Sequence, residues 1–253
     1  MLEQGSYKRI TGAHIKWLAI ISMLIDHMGV ALIEPTLWTN IEVMYTDPKI
    51  HRLYILYMIM RGIGRFAFPA FGFLLVEGFC HTRSKARYLR NMLLFMVISE
   101  IPFDLVISGE WWDTAQQNVF FTLGFGLIAI WIVDTLHKQM MINSQYEVVY
   151  GIISFAAVTG IACCAEWLHT DYGWLGVTAI FLLYLLRKTP AWGILAAGIL
   201  LSMVDWLEIC CLSLIPVVAC YNGERGRQPK YFFYVFYPLH LLILWMLGTA
   251  FFR

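Results

Sequence analysis

The chain has 253 residues, of which 60% are hydrophobic and 16% aromatic but only 14% charged, against roughly 25% charged in a soluble domain. Stretches of about 20 apolar residues recur with few charges between them, so the expected solvent is a lipid bilayer. A net charge of +1, dispersed over short connections instead of gathered in a stripe or arm, excludes a nucleic-acid partner.

Hydropathy and turn clusters predict an all-α, polytopic transmembrane bundle of about nine helices. They cover 14–33, 53–79, 91–108, 119–136, 148–165, 173–186, 191–204, 209–220 and 231–251. The first apolar run, 15–33, is too long for a signal-peptide core, has no small-x-small cleavage site after it, and is expected to stay as a mature helix. The helices over 173–220 are short, which suits tilted, re-entrant or protein-buried segments. No repeat or soluble insert interrupts this plan, so residues 1–253 read as a single membrane domain.

Basic and acidic connections alternate along the chain. Lys8 and Arg9, then Arg83, Lys85, Arg87 and Arg90, then Lys138, then Arg187 and Lys188, then Arg225, Arg227 and Lys230 mark cytoplasmic loops. The other connections hold Glu110, Asp113, Glu166, Asp171, Asp205 and Glu208, with Lys49 and Arg52 as basic exceptions. The expectation is a multi-pass protein of a bacterial-type inner membrane, amino terminus cytoplasmic and carboxyl terminus outside. The cysteine pairs Cys163-Cys164 and Cys210-Cys211 lack C-x-x-C spacing and a nearby H-x-x-x-H, so no metal site is predicted.

Ionisable groups within a span are costly and usually face a cavity or a partner. At ~1.5 Å rise per residue, His27, Arg61 and Asp104 come to similar depths, and Arg65 and Glu100 lie together one turn further in. Arg61/Arg65 and Glu100/Asp104 are both i, i+4 pairs on single helical faces. Two antiparallel neighbours would then pair Arg61 with Asp104 and Arg65 with Glu100, which fixes register. That pairing leaves His27 unused, and Asp26-His27 beside an arginine and a carboxylate suits proton handling. The string Arg61-Gly62-Ile63-Gly64-Arg65-Phe66-Ala67-Phe68-Pro69 predicts a kinked or broken helix. Two arginines at such a break suit an anionic ligand or a developing oxyanion, and close helix packing with buried ion pairs is the structural alternative. On the cytoplasmic side, His81, Arg83, Lys85, Arg87 and Arg90 are dense enough to hold phosphates, although a topology signal alone produces the same loop. Lys16, near the inner end of the first helix, reaches the same side by snorkelling.

Five strings together resemble the TraX family: Met23-Leu24-Ile25-Asp26-His27, the 61–69 string, Gly78-Phe79-Cys80-His81-Thr82-Arg83, Ser99-Glu100-Ile101-Pro102-Phe103-Asp104 and Gln117-Asn118-Val119-Phe120-Phe121-Thr122. Tyr237-Pro238-Leu239-His240 is similar to that family's closing helix, whereas 137–220 adds little. The resemblance implies a membrane-embedded acetyltransferase, since the family is named for a protein that acetylates the amino terminus of pilin. Related membrane acetyltransferases carry a basic residue, ten intervening residues and a histidine, a spacing that Lys16 and His27 reproduce with lysine in place of arginine. Acetyl-CoA is the implied donor, and the acceptor is a pilin-like peptide, glycan, lipid or small molecule.

On that resemblance His27 is the expected general base, supported by Asp26 or Asp104, with Arg61 or Arg65 stabilising the oxyanion and Glu100 completing the charged set. Lys16, His81, Arg83, Lys85, Arg87, Arg90, Tyr237 and His240 are the expected donor-binding residues. Gln117, Asn118, Asp171 and Tyr172, at external helix ends, are expected to meet the acceptor. A transporter would also place charges at midplane and break a helix, and the lack of a visible internal repeat argues against it.

The alternation of charged connections predicts that a cysteine introduced at Ser84, in a cysteine-free background, reacts with an impermeant maleimide only after the cells are opened. Labelling from outside intact cells reverses the orientation.

Overall fold

A computed structural model describes residues 9–140, 146–203, 205–229 and 231–252. Among them the secondary structure is helical throughout, with only two isolated bridges, Ile10 with Tyr221 and Gln117 with Thr170. The helices are α1 Gly12–Met28, α2 Glu34–Thr39, α3 Pro48–Gly64, α4 Ala67–His81, α5 Lys85–Ile107, α6 Val119–Met140, α7 Glu147–Trp167, α8 Gly173–Leu185, α9 Pro190–Leu201, α10 Leu214–Ala219 and α11 Phe232–Phe252. Five segments are long and apolar enough to cross a membrane: Gly12–Thr39, Pro48–His81, Val119–Gln139, Glu147–Trp167 and Phe232–Ala250. The expected span over 91–108 forms as α5 but is not among the five, because Arg90, Glu100 and Asp104 interrupt its apolar stretch. The chain is therefore a membrane protein. Its many exposed Leu, Ile, Val and Trp side chains, such as Val97, Val148, Phe155 and Trp167, are the surface that a bilayer covers.

The contacts gather in two compact units. The first comprises residues up to 71, then 98–113 and 202–253. Its α1 is pinned at the start by the 220–226 connection. Gly12 N–H donates to Glu224 O (2.8 Å) and Ala13 N–H to Arg225 O (2.9 Å), satisfying donors that a helix amino terminus leaves unpaired. After Met28 the coil widens into one π turn, Gly29–Ile33, where Pro35 cannot donate to the Ala31 carbonyl. Helix α3 begins on Asp47, whose carboxylate accepts from Lys49 N–H (2.7 Å), with Pro48 as its first residue. α3 stops at Gly64 and α4 starts at Ala67. Pro69 has no N–H to return to the Arg65 carbonyl, so the predicted break falls where the string required it. An eight-residue 3₁₀ helix, Trp206–Ser213, leads into α10.

The second unit comprises 72–97 and 114–201. Small residues let its helices approach: Gly126 on α6 faces Ile180 of α8, and Gly72 on α4 faces Leu183. At one end of the unit, Asp134 of α6 receives Lys85 and Lys138 as ion pairs and a hydrogen bond from the Tyr184 hydroxyl (3.2 Å). Arg187 lies over the Tyr184 ring, 4.3 Å from its centroid. At the other end of α6, Gln117 N–H donates to His169 O (2.9 Å) and Asp171 N–H to Gln117 O (3.0 Å). The basic ends of α5, α6 and α8 thus meet at one end of this unit, as the alternation of connections requires.

Asp134 neutralises the partly buried Lys85 ammonium and also pairs with the exposed Lys138, so Asp134→Ala is expected to lower the stability of the detergent-solubilised protein by about 1–3 kcal/mol. Asp134→Asn, which still accepts from Tyr184, should lose less. Melting curves of the two variants superimposing on wild type would show that the clamp contributes nothing.

Candidate functional site

The charged residues of the first unit converge where α3 breaks. Asp26 on α1 faces that break. Its Oδ2 accepts from Arg61 Nη1 (2.7 Å) and its Oδ1 from Arg65 Nη2 (3.1 Å). Arg65 Nη1 donates to Glu208 Oε1 on the 3₁₀ helix (2.6 Å), and its Nε to the Arg61 carbonyl (3.1 Å). Two carboxylates therefore balance two guanidiniums, which is how buried charge is tolerated in a low-dielectric interior. One turn before Asp26, the Ser22 hydroxyl donates to Ile63 O (2.7 Å), a carbonyl that also accepts from Phe66 N–H (3.3 Å) in the turn that closes α3. Gly64 makes room for all of this, because a methyl group there would overlap the Asp26 carboxylate.

For Arg61 the observed pairing corrects the expected one. Arg61 meets Asp26, not Asp104, while Asp104 accepts from the Asp113 backbone N–H (3.0 Å) and closes the turn after α5. Glu100 is likewise buried on α5. Equal depth fixes only the coordinate along the helix axis, and it leaves open which neighbour an arginine faces. Glu208 was read as a residue of an external connection. The signal was present: an acidic residue inside the apolar run Trp206-Leu207-Glu208-Ile209-Cys210-Cys211-Leu212.

His27 is one residue on, so its side chain points about 100° around α1 from Asp26 and meets α11. Its Nδ1 lies 2.7 Å from His240 Nε2, and the two rings are within 6° of parallel with centroids 5.0 Å apart. His240 Nδ1 lies 2.8 Å from the Phe236 carbonyl oxygen. Tyr237 packs edge-on against both imidazoles. His240 is 5% exposed and buried, while His27 is only half-buried. The expected support of His27 by Asp26 or Asp104 is replaced by His240, and Asp26 is occupied by the arginines. Arg61 is partly exposed, and among the described residues its Nε and Nη2 make no hydrogen bond.

The remaining expected residues separate. Lys16 sits on the same face of α1 as His27, since eleven residues make three turns with about 20° left over, and its ammonium lies 4.5 Å from the centre of the Phe233 ring on α11. In the second unit, Lys85 is held by Asp134, His81 Nδ1 lies 2.8 Å from the Glu77 carbonyl oxygen, and Arg83, Arg87 and Arg90 are exposed. Gln117, Asp171 and Tyr172 do come together around Thr122 and Thr170. Asn118 is fully buried and caps α6, accepting from Phe120 N–H (3.0 Å) and donating to Met96 O (2.9 Å). Among the described residues no group of three His, Cys, Asp or Glu side chains could hold a metal ion, and the cysteines are free.

A family model described as TraX protein matches residues 11–248, nearly the whole chain. The chain belongs to the TraX family. It is also 28% identical over 258 residues to a probable fimbrial assembly protein FimC, serogroup H1, of Dichelobacter nodosus, covering 91% of this chain and 92% of that protein. No solved structure matches. The match spans α1, the α3–α4 break and α11, so every element that builds the arginine and histidine pairs lies within the TraX region.

The two glycines of the break should respond differently to alanine. At Gly62 a methyl meets Cys210 and Leu207 at ordinary contact distance, 3.6 and 3.7 Å, whereas at Gly64 it displaces Asp26. Gly62→Ala is expected to be neutral and Gly64→Ala to destabilise the purified protein by about 1–3 kcal/mol. Equal melting temperatures for the two variants would contradict the close approach.

Proposed function

We propose that this TraX protein is an inner-membrane acetyltransferase, moving an acetyl group from cytoplasmic acetyl-CoA to an acceptor amine or hydroxyl, with a pilin amino terminus as the first acceptor to test. The observation that carries the reading is the imidazole of His27, bonded to His240 and one residue from the Asp26 carboxylate that holds two arginines at a helix break inside the membrane. A structural ion-pair lock accounts for Asp26, Arg65 and Glu208 but has no use for the histidines or for the open N–H groups of Arg61. The fimbrial relative supports a pilus-related acceptor.

The groups present fit an acyl thioester donor. Acetyl-CoA, when bound, supplies an acetyl group activated as a thioester. The unused Arg61 N–H groups suit a carbonyl oxygen on which negative charge develops. The exposed Arg83, Arg87 and Arg90 suit the donor's phosphates. His27 takes the proton from the acceptor N–H or O–H as the new bond to the acetyl carbon forms, and it returns that proton to the sulfur as the C–S bond breaks. Asp26 holds both arginines in place and takes no proton. The basic loops face the cytoplasm in this reading, on the side where the donor is made.

Loss of a positioned general base typically costs ~10²–10⁴-fold in rate. In proteoliposomes with radiolabelled acetyl-CoA and co-reconstituted pilin, His27→Ala should keep expression and donor binding while transfer falls by that factor. Undiminished transfer by His27→Ala removes the histidine from the chemistry.

A further inference from the structure

The bond between the two histidines has a direction. A carbonyl oxygen only accepts, so the 2.8 Å contact of His240 Nδ1 with Phe236 O places a proton on that nitrogen. A neutral imidazole carries one N–H, so His240 Nε2 is left with its lone pair. The nitrogen facing it at 2.7 Å, His27 Nδ1, must then donate. Coplanar rings with centroids 5.0 Å apart are what an in-plane N–H···N bond produces. His27 in turn is left with a lone pair on Nε2, the nitrogen turned away from α11.

We propose that His240 is a positioning residue that sets the tautomer and ring orientation of His27, so that Nε2 is the basic atom. This rests on the acetyl-transfer reading above. A free imidazole divides its proton between its two nitrogens and rotates about its side-chain bonds. In the His240 arrangement both freedoms are removed by one chain of bonds, from His27 Nδ1–H to His240 Nε2 and from His240 Nδ1–H to the Phe236 carbonyl. Each bond in such a chain polarises the next. When Nε2 takes the acceptor's proton, His27 becomes an imidazolium whose Nδ1–H already has an acceptor, and the positive charge is stabilised without rearrangement. His240 gains and loses no proton in this cycle. Burial fits the division of labour: His240 is 5% exposed behind the less deeply buried His27, and Phe236 stacks on its outer face with centroids 4.8 Å apart.

The test reads the tautomer directly and the rate separately. Protein labelled with ¹⁵N-histidine and reconstituted in nanodiscs is expected to show His27 protonated at Nδ1 and bare at Nε2, assigned by the resonances lost in His27→Gln. In His240→Phe, which keeps the ring and removes the acceptor, His27 should shift toward the Nε2–H form and transfer to co-reconstituted pilin should fall about 10²-fold or more, with the KM for acetyl-CoA unchanged. His240→Gln, whose amide oxygen can accept from His27 Nδ1–H, should recover a large part of kcat; a role in folding alone would not produce that rescue. Wild-type His27 protonated at Nε2, or a tautomer unmoved by His240→Phe, overturns the positioning. Full transfer by His27→Ala overturns instead the acetyl-transfer reading on which the positioning depends.

Discussion

The first unit depends on a single carboxylate. Asp26 accepts from both Arg61 and Arg65, and without it Arg61 would lose its ion pair while Arg65 kept Glu208. Removing one member of such a set costs more than the pair contributes, because the charge left behind has no water to return to. The constraint reaches into the backbone. Gly64 is small because Asp26 occupies the space of its missing side chain, and α3 ends there because the carboxylate, the Ser22 hydroxyl and Pro69 together make a break cheaper than a continuous helix.

Helix α1 presents two faces to two neighbours. Ser22 and Asp26, four residues apart, clasp the end of α3, and Lys16 and His27, eleven apart, line the side toward α11. α11 runs parallel to α1 on that side, Phe233 opposite Lys16 and His240 opposite His27. The spacing of Lys16 and His27 by ten intervening residues thus has a geometric meaning in this chain. It is a near-integral number of helical turns, and it keeps both groups on one seam separated by roughly 16 Å along the axis.

The second unit is built on other terms. Its core is close apolar packing of α6, α7 and α8 around Leu127, Ile130 and Ile180, and its charges sit at the ends. Asp134 is tied to two lysines, a tyrosine hydroxyl and, through that ring, Arg187. Lys85 is committed to this clamp, whereas Arg83, Arg87 and Arg90 of the same basic run are exposed. Asn118, read from the sequence as an acceptor contact, caps α6.

The sequence by itself determined the class, the approximate positions of most helices and a kink or break within 61–69. These follow from local quantities: apolar run length, the missing N–H of Pro69, and the periodicity that puts Arg61 and Arg65 on one face. It also singled out Asp26, His27, Arg61 and Arg65, because an ionisable group in an apolar stretch is conspicuous wherever it points. Only the tertiary structure decided their partners. Depth along an axis is a one-dimensional coordinate, whereas a hydrogen bond needs the rotation of each helix and the identity of its neighbour. Arg61 therefore went to Asp26 instead of Asp104, Glu208 arrived from a connection read as external, and His27 found His240 more than two hundred residues away.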